Sequence, residues 1–236
     1  MLAPLRGIYK YAIRLGIVEK NVMRLVIYPR PIESKQTKKF YTKEELTTFL
    51  ECCKKEKNPL IFIFFRLAAY TGMRHGELLG LKWSDFNFLK KEVNVSRTAV
   101  LKRGGKSETH KPKTRNSIRT ISLDDETLQY LQDYLAEYRP SLSDYVFASP
   151  YGQQYTFAMS GYWNDRICEK NGLQKITIHG FRHTHASLLF EAGASIKEVQ
   201  DRLGHADSKT TLDIYTHVTK STTNQTGAKF ARYMES

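Results

Sequence analysis

The sequence predicts a mainly α-helical domain with a small antiparallel β-sheet. Three observations lead to this prediction. Apolar residues recur at helical spacing over most of the chain, two short segments alternate apolar and polar residues, and 41% of the residues are hydrophobic against 26% charged. This composition excludes an intrinsically disordered chain. With 236 residues, the protein can bury a sizeable core without disulfides or metals.

The N-terminal segment is predicted to be separate from the main domain. It has apolar residues at helical spacing and a helix stop at Gly16. One helix cannot bury its own apolar face, so residues 1–27 are predicted to be the C-terminal fragment of another domain. Residues 28–40 are rich in prolines and lysines, which predicts an extended interdomain linker. The compact domain is predicted over residues 41–236.

The first helices of this domain are predicted from the signals at their ends. Thr42 and Glu45 have the spacing of a capping box, which predicts a helix running to about Lys55. Pro59 begins a second, strongly apolar helix. That helix is predicted to end at Gly72, because glycine accepts the left-handed conformation that terminates helices.

The strands and the later helices follow from periodicity. Residues 91–100 alternate apolar and polar side chains, a Gly-Gly pair follows, and residues 117–123 alternate again. This pattern predicts a small antiparallel sheet. Beyond Asp124 the pattern is helical, with loops predicted at residues 140–143 and 149–154.

The charge of the chain indicates a polyanionic partner. Lys and Arg number 37 against 24 Asp and Glu, which gives a formal net charge of +13 at pH 7. The positive residues are spread along the sequence, which favours a folded basic surface over a disordered basic arm. Charge alone leaves open a second interpretation, a basic protein with no anionic partner.

Cysteine usage and hydropathy predict an intracellular protein. Cys52 and Cys53 are adjacent and Cys168 is remote, which gives neither a disulfide framework nor a zinc-binding C-x-x-C. No secretory signal opens the sequence. The longest apolar run is interrupted by Arg66 and is shorter than the roughly 18 residues of a membrane span. A cytoplasmic location without a membrane partner is therefore predicted.

One segment concentrates imidazole beside an arginine. Residues 177–193, "TIHGFRHTHASLLFEAG", place three histidines and Arg182 at the head of an amphipathic helix. His179 and His183 share a face at a spacing that can bind zinc, but the sequence offers no obvious third ligand. His179 and Arg182 also share a face, and a guanidinium presents a planar pair of donors to a phosphodiester. We therefore predict a phosphate site with no metal and no cofactor.

A second arginine and a tyrosine extend this prediction. Arg74 follows the helix stop at Gly72, where it could neutralise a phosphate or simply cap helix carbonyls. Glu77, three residues later, is predicted to orient Arg74. His205 follows a glycine, and Tyr215 lies in a short predicted helix, where a core aromatic is the alternative interpretation.

The other histidines are given no catalytic role. His75, His110 and His217 are predicted at the surface or facing an anionic partner. His183 and His185 are predicted to satisfy local hydrogen bonds.

Four segments together carry a family resemblance. In order along the chain they are "TGMRHGELLGLKW", "KPKTRNSIRTISL", "HGFRHTHASLL" and "LGHADSKTTLDIYTHV". This ordered set resembles the tyrosine recombinases, in particular phage and conjugative-element integrases, from about Tyr41 to Tyr215. The resemblance implies the catalytic-domain fold of that family, preceded by a remnant helix of a core-binding domain.

The resemblance also implies the site and its chemistry. The catalytic residues would be Arg74, Lys113, His179, Arg182, His205 and Tyr215. Tyr215 would attack a DNA phosphate and stay attached to the 3′ end, and Lys113 would protonate the leaving 5′ oxygen. The two arginines and His205 would stabilise the charge on the phosphate, and His179 would act as general base or orienting group. Glu77 would support them, and neither metal nor ATP would be needed.

The same resemblance implies partners and a biological role. The chain would be an integrase that inserts or excises a mobile element at core sites in double-stranded DNA, on the bacterial nucleoid. It would act as a homotetramer that exchanges C-terminal tails from about residue 219, with accessory DNA-bending or excision factors. Two alternatives remain: a type IB topoisomerase, and a catalytically silent DNA-binding regulator on the same fold.

Overall fold

The computed structural model describes most of the chain, and it divides into two compact units, residues 1–37 and 38–236. The described residues are 2–22, 40–101, 107–110, 118–138, 143–204, 211–212, 214–216 and 234. Lys113, His205 and the tail from about residue 219, apart from Met234, lie outside these ranges. The division between the units falls within the predicted linker, residues 28–40.

The described part of the first unit contains one helix, α1 (Leu2–Arg14). Gly16 follows with φ of 69°, the left-handed conformation expected at a helix stop. Several apolar side chains of this segment, including Ile8 and Tyr11, are exposed. That residues 1–27 belong to a core-binding domain stays a prediction.

The second unit is mainly helical, as the sequence predicts. Its helices are α2 (Lys43–Lys54), α3 (Pro59–Thr71), α4 (His75–Leu79), α5 (Asp125–Tyr138), α6 (Phe157–Asn171), α7 (Ile178–Glu191) and α8 (Ile196–Leu203). The predicted capping box is present, with the Thr42 hydroxyl accepting from the Glu45 amide and the Glu45 carboxylate accepting from the Thr42 amide. The predicted stop at Gly72 is present as well, with φ of 62°.

The strands form two small antiparallel sheets where the sequence predicted one. They are β1 (Phe86–Asn87), β2 (Glu92–Val95), β3 (Thr98–Leu101), β4 (Ser107–His110) and β5 (Arg119–Ser122). The first sheet has the order β1-β2-β5, and β3 pairs with β4 in the second. Both alternating segments, 91–100 and 117–123, contribute strands as predicted, and Val93 of β2 pairs with Ile121 of β5. The chain leaves the first sheet after Val95, where Arg97 forms an ion pair with the buried Asp85.

Helix α3 is the centre of the core. All of its residues from Leu60 to Ala69 are buried, and it packs against α2 and α7. Phe49, Phe65 and Phe181, one from each of these helices, have ring centroids 4.9 to 5.3 Å apart. Because the core holds α3 on every side, the backbone that emerges at its C-terminal end is firmly placed.

Arg66 interrupts the apolar face of α3 and is nevertheless buried. Its guanidinium donates to Asp124 at 2.8 Å and to Glu126 at 2.9 Å, and it lies over the ring of Tyr70. A buried charge needs such partners. None of the described helices is both long enough and apolar enough to cross a membrane.

A smaller cluster attaches α8 to α7. Phe190 of α7 and Val199 and Leu203 of α8 are buried together, and Ile214 packs against them. Gly204 ends α8 in the left-handed conformation, with φ of 67°. This cluster brings the C-terminal end of α8 close to the end of α3.

Candidate active site

The site begins at Gly72, where three helices meet. A Cβ atom built on Gly72 would lie 2.5 Å from the Leu203 side chain and 2.7 Å from the ring of His185. Gly72 therefore meets two requirements, because its φ is positive and because α7 and α8 approach its backbone closely. This close approach brings the ends of α3 and α8 together.

Replacing Gly72 with alanine is expected to destabilise the protein more than the same change at Gly172. Both glycines end helices with nearly equal φ, 62° and 63°, but the space around Gly172 is open. Gly172→Ala should cost about 1–2 kcal/mol from the left-handed backbone alone. Gly72→Ala should cost about 1–3 kcal/mol more, because Leu203 and His185 must move. Urea unfolding measures both variants, and equal losses would contradict the close contact.

Arg74 is held in position by Glu77. Arg74 precedes α4, and its amide donates to Glu77 Oε2 at 2.8 Å while its Nη1 donates to Oε1 at 2.8 Å. The Glu77 side chain is only 4% exposed, whereas that of Arg74 is 39% exposed. The structure thus contains the orienting contact that the sequence predicts. It leaves part of the Arg74 guanidinium accessible to a ligand.

Arg182 is buried at the junction of the three helices. Its Nη1 donates to the Gly72 carbonyl at 2.7 Å and its Nη2 to the Leu203 carbonyl at 2.9 Å. Burial, together with the charge of Arg74, lowers the pKa of Arg182. A guanidinium remains protonated at neutral pH even so. Arg182 therefore brings a full charge to the same place as Arg74.

The two predicted arginines meet at the end of α8. Arg74 Nη2 donates to the Gly204 carbonyl at 2.8 Å, next to the Leu203 carbonyl that accepts from Arg182. The last carbonyls of a helix lack intrahelical partners and carry its negative dipole end. Arg74 thus also binds a carbonyl at a helix end, which was the alternative interpretation of this residue. The helix in question is α8 rather than the preceding α3.

A third arginine, Arg119, was missed by sequence reasoning. Its Nε donates to the Arg202 carbonyl at 2.8 Å, and its two terminal nitrogens donate to Glu77 at 2.9 and 3.2 Å. A signal was available, because strand alternation places Arg119 on the same face of β5 as the buried Ile121. A charged residue on the apolar face of a strand needs a buried partner.

His179 lies beside the two predicted arginines. Burial, followed by the charges of Arg182 and Arg74, lowers the pKa of its imidazole. His179 is therefore neutral at pH 7 and can accept a proton. Its ring stands perpendicular to that of His183, with centroids 4.7 Å apart. Among the residues that the structure describes, no three His, Cys, Asp or Glu side chains form a group that could hold a metal ion.

Tyr215 lies against the C-terminal end of α7, the helix that carries His179 and Arg182. Residues 214–216 are helical, and the Tyr215 ring packs edge-on against Phe190 with centroids 5.2 Å apart. Phe190 is in the last turn of α7, eight residues and about 12 Å along the helix axis from Arg182. The Tyr215 side chain is 36% exposed, so it is not a fully buried core aromatic.

Two predicted site residues lie outside the described ranges. They are Lys113 and His205. In the sequence His205 directly follows Gly204, whose carbonyl accepts from Arg74. The described residues thus gather Arg74, Glu77, His179 and Arg182, and add Arg119.

The prediction for His75 was wrong. Its Nε2 is 2.6 Å from the Ser160 hydroxyl, and its ring packs edge-on against Phe157 at 4.6 Å. Burial lowers the His75 pKa to about 4. The sequence could not show this, because α6 covers the first turn of α4 only in the folded protein. His110 is exposed, as predicted.

His185 does satisfy hydrogen bonds, as predicted, and it does so at the base of the site. Its Nδ1 lies 2.8 Å from the Ala69 carbonyl, and Arg202 Nε donates to its Nε2 at 3.0 Å. Burial and the charge of Arg202 lower the His185 pKa to about 3. A neutral ring that donates from Nδ1 and accepts at Nε2 fits both contacts.

The sequence was compared with models of protein families and with known proteins. A model of the phage integrase family matches residues 39–222, which is most of the chain. The chain belongs to the phage integrase family. Over 91% of its length, this integrase-family chain is 33% identical to a "Tyrosine recombinase XerC-like" protein of Caldanaerobacter subterraneus. Over 92% of its length, it is 30% identical to the ICEBs1 integrase of Bacillus subtilis. It spans 60% of the length of each of these relatives.

Solved structures show the same fold. The Tn1549 transposon integrase, solved in complex with a circular intermediate DNA, aligns with a TM-score of 0.80 at 22% identity, covering 97% of this integrase-family chain and 76% of that one. XerA recombinase aligns with a TM-score of 0.65 at 25% identity, covering 86% of this chain and 66% of that one. The predicted tyrosine-recombinase catalytic-domain fold is confirmed.

Proposed function

We propose that this protein is a site-specific recombinase that cuts and rejoins DNA strands through a covalent 3′-phosphotyrosine at Tyr215, and so integrates or excises a mobile element. Family membership and the names of the relatives support this function. The ICEBs1 relative is an integrase, and the Tn1549 integrase was solved with circular intermediate DNA. Double-stranded DNA is the proposed substrate, consistent with the net charge of +13.

One observation supports this chemistry most directly. Arg74 and Arg182 donate to two consecutive carbonyl oxygens at 2.8 and 2.9 Å, so their guanidiniums already converge on neighbouring acceptors. A phosphodiester in a transfer reaction offers two non-bridging oxygens, whose charge grows in the transition state. Donors fixed before the reaction stabilise that charge without reorganisation.

The proton transfers fit the same residues. A tyrosine hydroxyl with an ordinary pKa of about 10 is a weak nucleophile at neutral pH and needs a partner that takes its proton. His179 is neutral there, because burial and two arginines lower its pKa, so it can act as general base or orient the nucleophile. In the proposed mechanism, His205 donates a hydrogen bond to a non-bridging oxygen and Lys113 protonates the leaving 5′ oxygen.

The covalent intermediate explains how strands are joined without ATP. The phosphotyrosine bond keeps the energy of the broken phosphodiester, and a 5′ hydroxyl of a partner strand then displaces the tyrosine. No step of this scheme requires a metal ion. Each step breaks one phosphate ester bond and forms another, so the number of ester bonds does not change.

A nicked substrate tests the proposal. A labelled duplex from the junction of the element is nicked a few nucleotides 3′ of the cleavage position. Cleavage then releases a short fragment that bears the leaving 5′ hydroxyl, and its loss traps the adduct. In excess EDTA, the wild-type chain should form a protein–DNA band in denaturing electrophoresis. Relaxation of supercoiled plasmid without any element site would indicate a topoisomerase instead. DNA binding with no adduct would indicate a silent regulator.

Lys113→Ala is expected to slow cleavage of an ordinary phosphodiester by about 10²- to 10⁴-fold, the usual contribution of a general acid. A substrate with sulfur in place of the leaving 5′ oxygen should restore the rate, because a thiolate leaves without a proton. Lys111→Ala, two residues away, is the control and should cleave both substrates normally. Equal losses on both substrates would assign Lys113 to phosphate binding.

The assembly is a further part of the proposal. We propose a homotetramer on DNA in which the tail from about residue 219 docks on a neighbouring protomer, with accessory DNA-bending or excision factors. An open groove of about 780 Å³, lined in part by Tyr70, Leu188 and Leu189, supports a docking surface for that tail. Sedimentation of the DNA complex with and without the tail is the measurement.

Residues 1–27 are proposed to be the end of a core-binding domain and residues 28–40 a linker to the catalytic domain, 41–236. The proposed place of action is the bacterial nucleoid, in the cytoplasm. Limited proteolysis that cuts within residues 28–40 and leaves a folded 41–236 fragment would support this organisation.

A further inference from the structure

We propose that Arg119 is a positioning residue for strand cleavage, which fixes Arg74 through Glu77 and fixes the backbone that leads into His205 through the Arg202 carbonyl. This inference rests on the proposed recombinase function, because it concerns the geometry of the same site. Arg119 would not touch DNA. It would act by holding two other groups in place.

The contacts of Arg119 connect three elements. From strand β5 it donates to both carboxylate oxygens of Glu77 on α4, at 3.2 Å to Oε1 and 2.9 Å to Oε2. The same oxygens accept from Arg74, one from its amide and one from its Nη1. Glu77 is therefore shared, and Arg119 fixes the plane of the carboxylate against which Arg74 is aligned.

The third contact of Arg119 completes a series along α8. The carbonyls of residues 202, 203 and 204 accept from Arg119, Arg182 and Arg74 respectively, at 2.8, 2.9 and 2.8 Å. Three guanidiniums thus hold three consecutive carbonyls at the C-terminal end of one helix. Removing the first of these contacts is therefore expected to loosen the C-terminal end of α8, the residues that precede His205 in the sequence.

The positive charge of Arg119 helps to keep the buried Glu77 carboxylate ionised. Both side chains are nearly buried, at 7% exposure for Arg119 and 4% for Glu77. Burial on its own would raise the pKa of Glu77, but hydrogen bonding and charge from Arg119, then from Arg74, bring that pKa below its ordinary value. Arg119 is the larger of the two influences. Without it, Arg74 alone would have to keep a buried carboxylate ionised.

The same chain provides a matched control. Asp85 is also nearly buried, also accepts from the amide three residues before it, and also pairs with an arginine near the sheet, Arg97. Arg97→Gln therefore also removes an arginine from a nearly buried carboxylate, although the Arg97 side chain is 26% exposed against 7% for Arg119. Its partner, Asp85, is not a residue of the proposed site.

Single-turnover cleavage of the nicked duplex separates positioning from folding. Arg119→Gln is expected to lower the rate about 10- to 100-fold, the usual cost of removing a supporting partner of an active-site group. DNA affinity should stay within about twofold, because Arg119 is buried. Arg119→Lys should recover part of the rate, since it restores the charge but not the planar pair of donors. Arg97→Gln should cleave at the wild-type rate per folded molecule.

The pH profile gives a readout that a merely structural role would not change. In Arg119→Gln the pKa of Glu77 should rise. Because ionised Glu77 aligns Arg74, the cleavage rate should be retained at pH values above this raised pKa and lost as the pH falls through it. The acid limb should therefore move to higher pH than in the wild type. Arg74, Arg182 and His179 also face this region, but they are present in both proteins. Adding Glu77→Gln to Arg119→Gln should remove the shifted limb.

Two measurements on the DNA-free chain keep the inference separate from the proposed function. In Arg119→Gln, but not in Arg97→Gln, the Glu77 carboxyl should titrate at higher pH by NMR, and the amides near residues 202–205 should exchange faster. If the wild type forms no adduct, the recombinase proposal fails while these two results still decide the role of Arg119. Unchanged Glu77 titration and unchanged exchange, or wild-type cleavage by Arg119→Gln, would overturn the inference.

Discussion

Tyr215→Phe is expected to eliminate the covalent DNA adduct while leaving the fold and DNA affinity unchanged. The substitution removes only the phenolic oxygen, and the ring can still pack edge-on against Phe190 at 5.2 Å. Without that oxygen no phosphotyrosine can form. Denaturing electrophoresis of the labelled nicked duplex measures the adduct, and a gel-shift titration measures affinity. Tyr162→Phe, an exposed tyrosine on α6, is the matched control and should form the adduct normally.

The identity of the nucleophile is then decided by mapping. Protease digestion of the wild-type adduct should give one DNA-linked peptide that contains Tyr215. An adduct that persists in Tyr215→Phe would assign the chemistry to another tyrosine. A linked peptide that contains Tyr145, Tyr151, Tyr155 or Tyr162 would do the same.

Arg182→Ala is expected to lower the single-turnover cleavage rate about 10²- to 10³-fold, or about 3–4 kcal/mol of transition-state stabilisation, by analogy with the loss of an oxyanion donor. Tyr215 stays in place, so cleavage should be slowed rather than eliminated. The loss concerns the transition state, because the charge on the non-bridging oxygens grows as the bond breaks. Time courses at saturating protein measure it.

Folding complicates this variant and requires a control. Arg182 is 2% exposed and serves the carbonyls of Gly72 and Leu203, so its removal leaves buried acceptors unpaired at a cost of about 1–3 kcal/mol. Arg66→Ala removes a similarly buried arginine from a different helix, α3, and should lose stability without losing rate per folded molecule. Arg182→Lys keeps a charge with less disruption. Normal cleavage by Arg182→Lys would show that the planar guanidinium is not required.

Local signals were sufficient to predict much of the fold. The capping box of Thr42 and Glu45 and the stop at Gly72 depend on hydrogen bonds and φ values within one turn, so nearby residues contain all the necessary information. The shared face of His179 and Arg182 follows from helical spacing alone. The contact of Glu77 with Arg74, three residues apart, is local in the same way.

The arrangement of the site required the tertiary structure. Arg74 and Gly204 are 130 residues apart in sequence, and Arg119 and Arg202 are 83 residues apart, yet each pair shares a hydrogen bond. No periodicity predicts such pairs, because they depend on how α8 packs on α7 and on the end of α3. For the same reason His75, a surface residue by sequence, is covered by α6.

The sequence by itself therefore determined the helix ends, the mainly α class with antiparallel strands, and the residue types of the proposed phosphate site. Only the tertiary structure decided that three arginines converge on consecutive carbonyls of one helix, and that one buried glutamate serves two of them. The physical reason is the range of the interactions. Capping and helical spacing act over three or four residues, whereas buried charges are stabilised by whichever distant donors the packed core brings within reach.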